Sequence, residues 1–176
     1  MPAVAVGTGM TDEHVNAVTT VNAPAEVVFD VLADPSTHPA IDGTGWVRDA
    51  LDPQRLTDVG QIFRMAMYHD NHPEKDYEMA NRVEAIDPPR AIAWQPGQGP
   101  DQRGYLMGGN ELAFGGWIWR YDLEPAGPDR TQVTLTYDWS GVPPQMRDIE
   151  FPPFDVDHLD NSLKNLAGLA ERRIVS

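Results

Sequence analysis

Between Thr131 and Trp139, apolar and polar residues alternate one by one. Val133, Leu135, Tyr137 and Trp139 fall on one side, and Gln132, Thr134, Thr136 and Asp138 on the other. A period of two marks a strand with one face buried and one face in water, as found in antiparallel sheets. The same period recurs upstream. Trp117, Trp119, Tyr121 and Leu123 oppose Ile118, Arg120 and Asp122. Tyr77, Met79, Asn81, Val83 and Ala85 oppose Glu78, Ala80, Arg82, Glu84 and Ile86. Phe63, Met65, Met67 and His69 oppose Ile62, Arg64, Ala66 and Tyr68. Trp46–Ala50 and Ala91–Gln95 are shorter strand candidates, and His14–Asn22 is rich in Val and Thr, which favour strands. Asp70-Asn71-His72-Pro73, Asp87-Pro88-Pro89 and Pro125–Arg130 supply the turns.

Two regions break this period. After His14–Asn22, Pro24 suits the first turn of a helix, with Asn22 or Ala23 as its cap. Val27, Val28, Val31 and Leu32 then share a helical face, and Asp34-Pro35 is expected to end the helix. A short second helix is expected around Ser36–Ile41, before Gly43 and Gly45. At the other end, Val156, Leu159, Leu163, Leu166, Ala170 and Ile174 are spaced by three and four, which predicts a helix from about Asp155 to Val175. Asp155, Asp157 and Asp160 lie at its start, Arg172 and Arg173 at its end, as the helix dipole favours. Consecutive strands between segregated helices define an α+β fold: six or seven antiparallel strands curling around one long helix. Residues 1–12 are expected to be a disordered leader and residues 13–176 a single domain.

Composition excludes several classes of function. The 176 residues carry 13 Lys and Arg against 27 Asp and Glu, a net charge of −14. Neither a nucleic-acid backbone nor an anionic membrane surface is the expected main partner, since both call for clustered cations. No apolar run is long enough to span a bilayer, so no stable membrane insertion is expected. There is no cysteine, which removes disulfides, thiolate nucleophiles and Cys-based metal sites and suits a cytoplasmic location. The 15 Gly and 16 Pro make the chain turn-rich, yet 41% hydrophobic residues suffice for a core. Seven of those glycines fall between Pro96 and Gly116. A loop from Pro96 to about Gly115 is expected there, long enough to serve as a lid.

At this point the chain resembles a known family. VNAPAEVVFDVLADPSTHPAID is similar to the opening of START-like proteins, also called the SRPBCC or helix-grip superfamily. VGQIFRMAMYHD and YEMANRVEAIDPPRAIAW resemble its paired central strands, WRYDLEPAGPDRTQVTLTYDWSG its last hairpin, and FDVDHLDNSLKNLAGLAER its closing helix. The similarity spans roughly Glu13 to Arg173. Among the superfamily's members, the polyketide cyclase/dehydrase-like bacterial proteins are the nearest in pattern. The resemblance implies a helix-grip fold with a cavity between sheet and helix, used across the superfamily for lipid binding, hormone binding and cyclisation.

The apolar strand faces and the resemblance point to the same lining: Phe63, Met65, Met67, Tyr77, Met79, Asn81, Trp117, Trp119, Tyr121, Val133, Leu135, Tyr137 and Trp139. Leu159, Ser162, Leu163 and Leu166 would face them from the last helix. Trp94 joins this set with its face unassigned. These residues either fill a solid core or wall an apolar pocket. Asn81, the one amide on an apolar face, needs a partner, because an unpaired buried amide costs about 1–3 kcal/mol. Tyr77, Asn81, Tyr121 and Tyr137 are candidate donors to a ligand carbonyl, and His69 is a candidate acid or base.

His69, Asp70, His72 and Glu74 are all metal-ligand types, but they share one presumed turn with no distant third cluster, so no metal is expected. Ser36, Ser140 and Ser162 lack a glycine-flanked nucleophile turn, and the Gly-rich loop matches no phosphate-binding spacing. No cofactor is expected. Two roles remain: binding a small hydrophobic molecule, lipid-like or aromatic, and cyclase or aromatase chemistry on a carbonyl-rich substrate. A chaperone-cofactor-like role ranks lower, because no exposed protein-binding face is evident. A homodimer is compatible with the sequence.

Overall fold

The computed structural model describes residues 9–10, 14–42, 47–51, 54–68, 76–98, 113–114, 116–142 and 157–175. Within them the chain forms nine strands and three α-helices. The strands are β1 (Gly9–Met10), β2 (His14–Val21), β3 (Val47–Ala50), β4 (Ile62–Tyr68), β5 (Asp76–Asp87), β6 (Ala91–Gln98), β7 (Ala113–Phe114), β8 (Ile118–Pro125) and β9 (Thr131–Asp138). The helices are α1 (Ala25–Leu32), α2 (His38–Ile41) and α3 (Asp157–Val175). All strands belong to one sheet in the order β1-β2-β9-β8-β6-β5-β4-β3, with β7 paired to β6. Every pairing is antiparallel. β1 and β7 have two residues each, so seven longer strands form the curved sheet, as the sequence pattern indicates.

α3 packs against β2 and β9 and against α1 and α2, so the sheet grips the last helix. Leu159, Leu163, Leu166 and Ala170 are fully buried, as their spacing requires. Ile174 shares their phase but is 49% exposed, because the last turn of α3 runs past the buried interface. Two polar clips hold the helix. The Asn22 N–H donates to Glu171 Oε2 at 2.9 Å, and Asn165 Nδ2 donates to the Ile41 carbonyl at 3.1 Å.

Several local expectations shift. In α1 the fully buried residues are Ala25, Val28, Phe29, Val31 and Leu32, while Val27 is half-buried. The strict i, i+3, i+4, i+7 face runs through Phe29, which the valine-rich reading passed over. Pro24 is itself the cap residue, in extended conformation, and neither Asn22 nor Ala23 takes that place. Its carbonyl accepts the Val27 and Val28 N–H groups. α1 stops at Leu32, and Asp34 opens a short 3₁₀ turn, Pro35–Thr37, by accepting from the Ser36 N–H and hydroxyl at 3.0 and 2.6 Å. That turn and α2 together occupy the predicted second helix.

Ladder irregularities explain the other differences. The register between β5 and β6 shifts between Val83 and Ala85. Beyond the bulge it is Ile86, and not Ala85, that packs on the core. The predicted lid begins later than expected: Pro96, Gly97 and Gln98 extend β6, and Ala113–Phe114 pairs back onto Gly97 and Gln98. The remainder of that loop lies outside the described residues, as does the turn holding Asp70 and His72. Gly9–Met10 pairs with Val15 and Asn16 inside the stretch read as a leader.

Candidate functional site

The register stacks inward residues in rows. Val15, Tyr137, Trp119 and Trp94 stand across four neighbouring strands, and Ala17, Leu135, Tyr121 and Ile92 form the next row. Toward the Val21–Thr131 end the interior is aliphatic, with Val21, Leu123, Val133, Leu32 and Leu166 fully or almost fully buried. Toward the opposite end it becomes aromatic. Phe63, Tyr121, Tyr137 and Trp139 are buried there, while Met67, Trp94, Trp117 and Trp119 are only partly covered.

The rings form two connected groups. In one, His38 stacks on Trp94 (centroids 4.9 Å, planes 19° apart) and meets Phe63 edge-on at 5.6 Å, and Trp94 lies 5.9 Å from Tyr121. In the other, Trp119 lies 4.5 Å from Tyr137, Tyr137 lies 5.8 Å from Trp139, and His158 meets Trp119 edge-on at 5.4 Å. These separations are those of favourable aromatic contacts.

Several polar groups inside this lining have an identifiable state. Asn81 is buried, and its Nδ2 donates to the Phe63 carbonyl across the β4–β5 ladder, at a long 3.4 Å. Its partner is therefore the neighbouring backbone. Burial pushes the Tyr121 hydroxyl pKa far up, and the Asp42 carboxylate adds to the effect. Burial does the same to Tyr137. Both phenols stay protonated at neutral pH, so they can donate a hydrogen bond and cannot serve as bases. His38 is held neutral by burial, against the opposing pull of its bond to Leu32 and of the Asp34 charge. Its Nε2 lies 2.9 Å from the Leu32 carbonyl, which can only accept, so Nε2 carries the proton. His158 is also pushed down by burial, with Asp42 opposing.

Phe63, Met65, Trp94, Trp119, Tyr121, Leu135, Tyr137, Trp139, Leu159 and Leu163 thus lie in or against one continuous core, with Met67 and Trp117 at its partly covered edge, and Met79 and Asn81 are buried on β5. The structure assigns Trp94 to the inner face. Of Tyr77 only the backbone is described, opposite Met67, and His69 lies outside the described residues. Among the described residues no group of three or more His, Asp or Glu is arranged to hold a metal ion.

Sequence reasoning passed over His38, Asp42 and His158. A local signal exists for one of them: His158 precedes Leu159, Ser162, Leu163 and Leu166 at helical spacing, which puts its imidazole on the buried side of α3. For the Asp42–His158 pair no local signal exists, since the two residues meet only through the packing of α2 on α3.

An antiparallel sheet gripping a C-terminal helix, with an interior partly lined by aromatic rings, defines a START-like, helix-grip protein. Residues 22–170 match the family described as Activator of Hsp90 ATPase homolog 1-like protein, and the chain belongs to that family. It is 30% identical over 119 residues to the uncharacterized protein Rv0088 of Mycobacterium tuberculosis, a match covering 68% of this chain and 44% of the relative. The chain thus spans less than half of that relative's length. Among solved structures, protein NE0264 of Nitrosomonas europaea superposes with a TM-score of 0.66 at 13% identity, covering 93% of this chain and 97% of the other. The Zhui aromatase/cyclase of Streptomyces superposes at 0.55 and 21% identity, covering 92% and 94%. Norcoclaurine synthase from Thalictrum flavum, in complex with dopamine and hydroxybenzaldehyde, superposes at 0.59 and 15% identity, covering 94% and 89%. At such identities the likeness is one of fold. Among the described residues no helix is long and apolar enough to cross a membrane.

Proposed function

We propose that the chain binds a small hydrophobic molecule, lipid-like or aromatic and polyketide-like, between the inner face of the sheet and α3. The observation that carries this reading is the partial cover of Trp94, Trp117, Trp119 and Met67, clustered at the aromatic end of a core whose Phe63, Tyr121, Tyr137 and Trp139 are buried. A core serving stability alone gains most by burying its indoles, since burial of apolar area contributes about 25 cal/mol per Å². Indoles left partly uncovered, beside protonated phenols, give an apolar wall with a few orienting groups, as small-molecule sites require. The dopamine and hydroxybenzaldehyde in the norcoclaurine synthase structure lend the reading support by likeness of fold. The absence of cysteine suits action in a reducing compartment such as the cytoplasm.

Denaturing mass spectrometry of freshly purified protein is expected to release a hydrophobic compound. Titration with 2-acetylnaphthalene, followed by tryptophan fluorescence, is expected to saturate. Trp119→Ala should weaken that binding about 30-fold, the effect of losing a central aromatic contact. Ile118→Ala, on the outer face, should change it less than about threefold, in line with a peripheral residue. Equal losses in the two variants would contradict the assigned face. Absence of both a released compound and saturable binding would overturn the reading.

A second reading is cyclisation or dehydration of a carbonyl-rich substrate in the same space. It draws on Tyr121 and Tyr137, two buried phenols that burial keeps protonated and that would serve as hydrogen-bond donors to a carbonyl.

A further inference from the structure

One ionisable pair in the interior has no part in simple binding. Asp42 is the residue that ends α2, and His158 is the second residue of α3. Their side chains are each only 8% exposed, and His158 Nε2 lies 3.9 Å from Asp42 Oδ1. The other carboxylate oxygen accepts the Val47 N–H at 3.0 Å, which fixes the carboxyl plane. The imidazole stands edge-on to Trp119, with planes 87° apart, so it adjoins the partly covered wall. Tyr121 lies two residues along β8 from Trp119, on the same face, and within the field of the Asp42 charge. A base, a carboxylate and a hydroxyl donor thus converge from α3, the end of α2 and β8.

We propose that His158, oriented by Asp42, is a general base that removes a proton from the carbon beside the carbonyl of an aromatic ketone lying on Trp119, while Tyr121 donates a hydrogen bond to the enolate oxygen. This rests on the ligand-binding reading and deepens it. In the step, the C–H bond breaks and its electron pair forms the enolate C=C bond. The carbonyl π pair moves onto oxygen, and the proton passes to the imidazole. With Nε2 turned to Asp42, Nδ1 is the nitrogen that takes the proton. The imidazolium is balanced by the Asp42 carboxylate, as in other base–carboxylate pairs. Reversal returns the proton to carbon, so the enzyme catalyses hydrogen exchange with water and needs no further reactant. Burial keeps His158 neutral and able to accept a proton near pH 7, and it keeps Tyr121 protonated and able to donate. The histidine lies on α3, away from the hairpin turn where sequence alone placed a candidate base.

The test uses the intact protein and 2-acetylnaphthalene in D₂O. Loss of the methyl proton signal by NMR measures exchange, and tryptophan fluorescence measures binding separately. Exchange is expected to run about a hundredfold or more above the buffer rate, the usual scale of general-base catalysis. His158→Gln should return it to the buffer rate, with binding changed less than about threefold. Tyr121→Phe should slow exchange by a larger factor than it weakens binding. Asp42→Asn should slow exchange and move the acid limb of the exchange pH profile to lower pH, because the Asp42 charge raises the basicity of His158; a carboxylate that only holds the fold would leave that profile in place. Binding without exchange above buffer, or exchange unaffected by His158→Gln, would overturn the proton-transfer role and leave ligand binding standing. If ketone binding itself is absent, both fail. Should His158→Gln not fold, Asp42→Asn decides: wild-type exchange in that variant overturns the proposal.

Discussion

His38 is wedged between Trp94 and Phe63 with its Nε2–H on the Leu32 carbonyl, and it stays neutral because burial outweighs the nearby Asp34. Its pKa in the fold is below its ordinary value, and so is that of His158. The unfolded chain therefore binds more protons than the folded one as the pH falls below about 6.5. Stability is whole above that value and declines as the pH drops toward the lowered pKa values. Thermal melts between pH 7.5 and 5 should show this loss. His38→Gln, which keeps a donor for Leu32, should lose part of the pH dependence while costing about 1–2 kcal/mol at neutral pH through poorer ring packing. An unchanged slope in that variant would remove His38 from the account. Thr131 gives a simpler case. Its hydroxyl, fully buried, donates to the Ala23 carbonyl at 2.8 Å and joins the start of β9 to the approach to α1. Thr131→Val should cost about 1–2 kcal/mol in denaturant titrations, since it leaves that carbonyl unpaired inside the protein.

Among the elements, the β8–β9 hairpin meets itself most closely at its base. Gly116 has φ of +96°. A side chain there would run into the backbone of Gly141, and one on Gly141 would come within 2.9 Å of the Gly116 carbonyl oxygen. The Gly116 N–H also donates to Gln95 Oε1 at 3.1 Å, which ties β6 to this crossing. Gly116→Ala should therefore destabilise by more than about 2 kcal/mol, combining an unfavourable φ with backbone overlap. Gly60→Ala, at positive φ but with open space around it, should cost only about 1 kcal/mol. A comparison of the two urea midpoints checks both values. The long strands were legible in the sequence because alternation over Thr131–Trp139 or Gln61–His69 reports burial directly. Features created by pairing were not. The bulge that turns Ile86 inward, the extension of β6 through Pro96 and Gly97, and the Gly116–Gly141 crossing all depend on a neighbouring strand that no local window contains.

For the molecule as a whole, α3 is the closing piece, and its contacts differ widely in weight. Leu166 is fully buried against the sheet, so Leu166→Ala should cost about 2–5 kcal/mol, whereas Asn165→Ala, which removes only the bond to Ile41, should cost about 1 kcal/mol. Calorimetric or denaturant unfolding of the two variants tests that ranking. The candidate site follows the same logic as the fold. Trp119, Tyr121, Tyr137 and Trp139 were legible as inward residues, because the period of each of the two strands puts its own pair on one face. His38, Asp42 and His158 were not, because α2 and α3 become neighbours only once the sheet is complete. That completion comes late in the life of the chain. β2 pairs along its whole length with β9, and Ala17 finds its partner in Leu135. Ribosomes add about 5–20 residues per second, so the first long strand waits roughly 6–24 seconds for its mate to be made. Throughout that interval the edge of β2 and its buried row of Val15, Ala17 and Val21 remain uncovered. The newborn protein is thus most vulnerable to aggregation during synthesis, and its yield in cells should depend on translation speed and on holding factors more than its final stability would suggest.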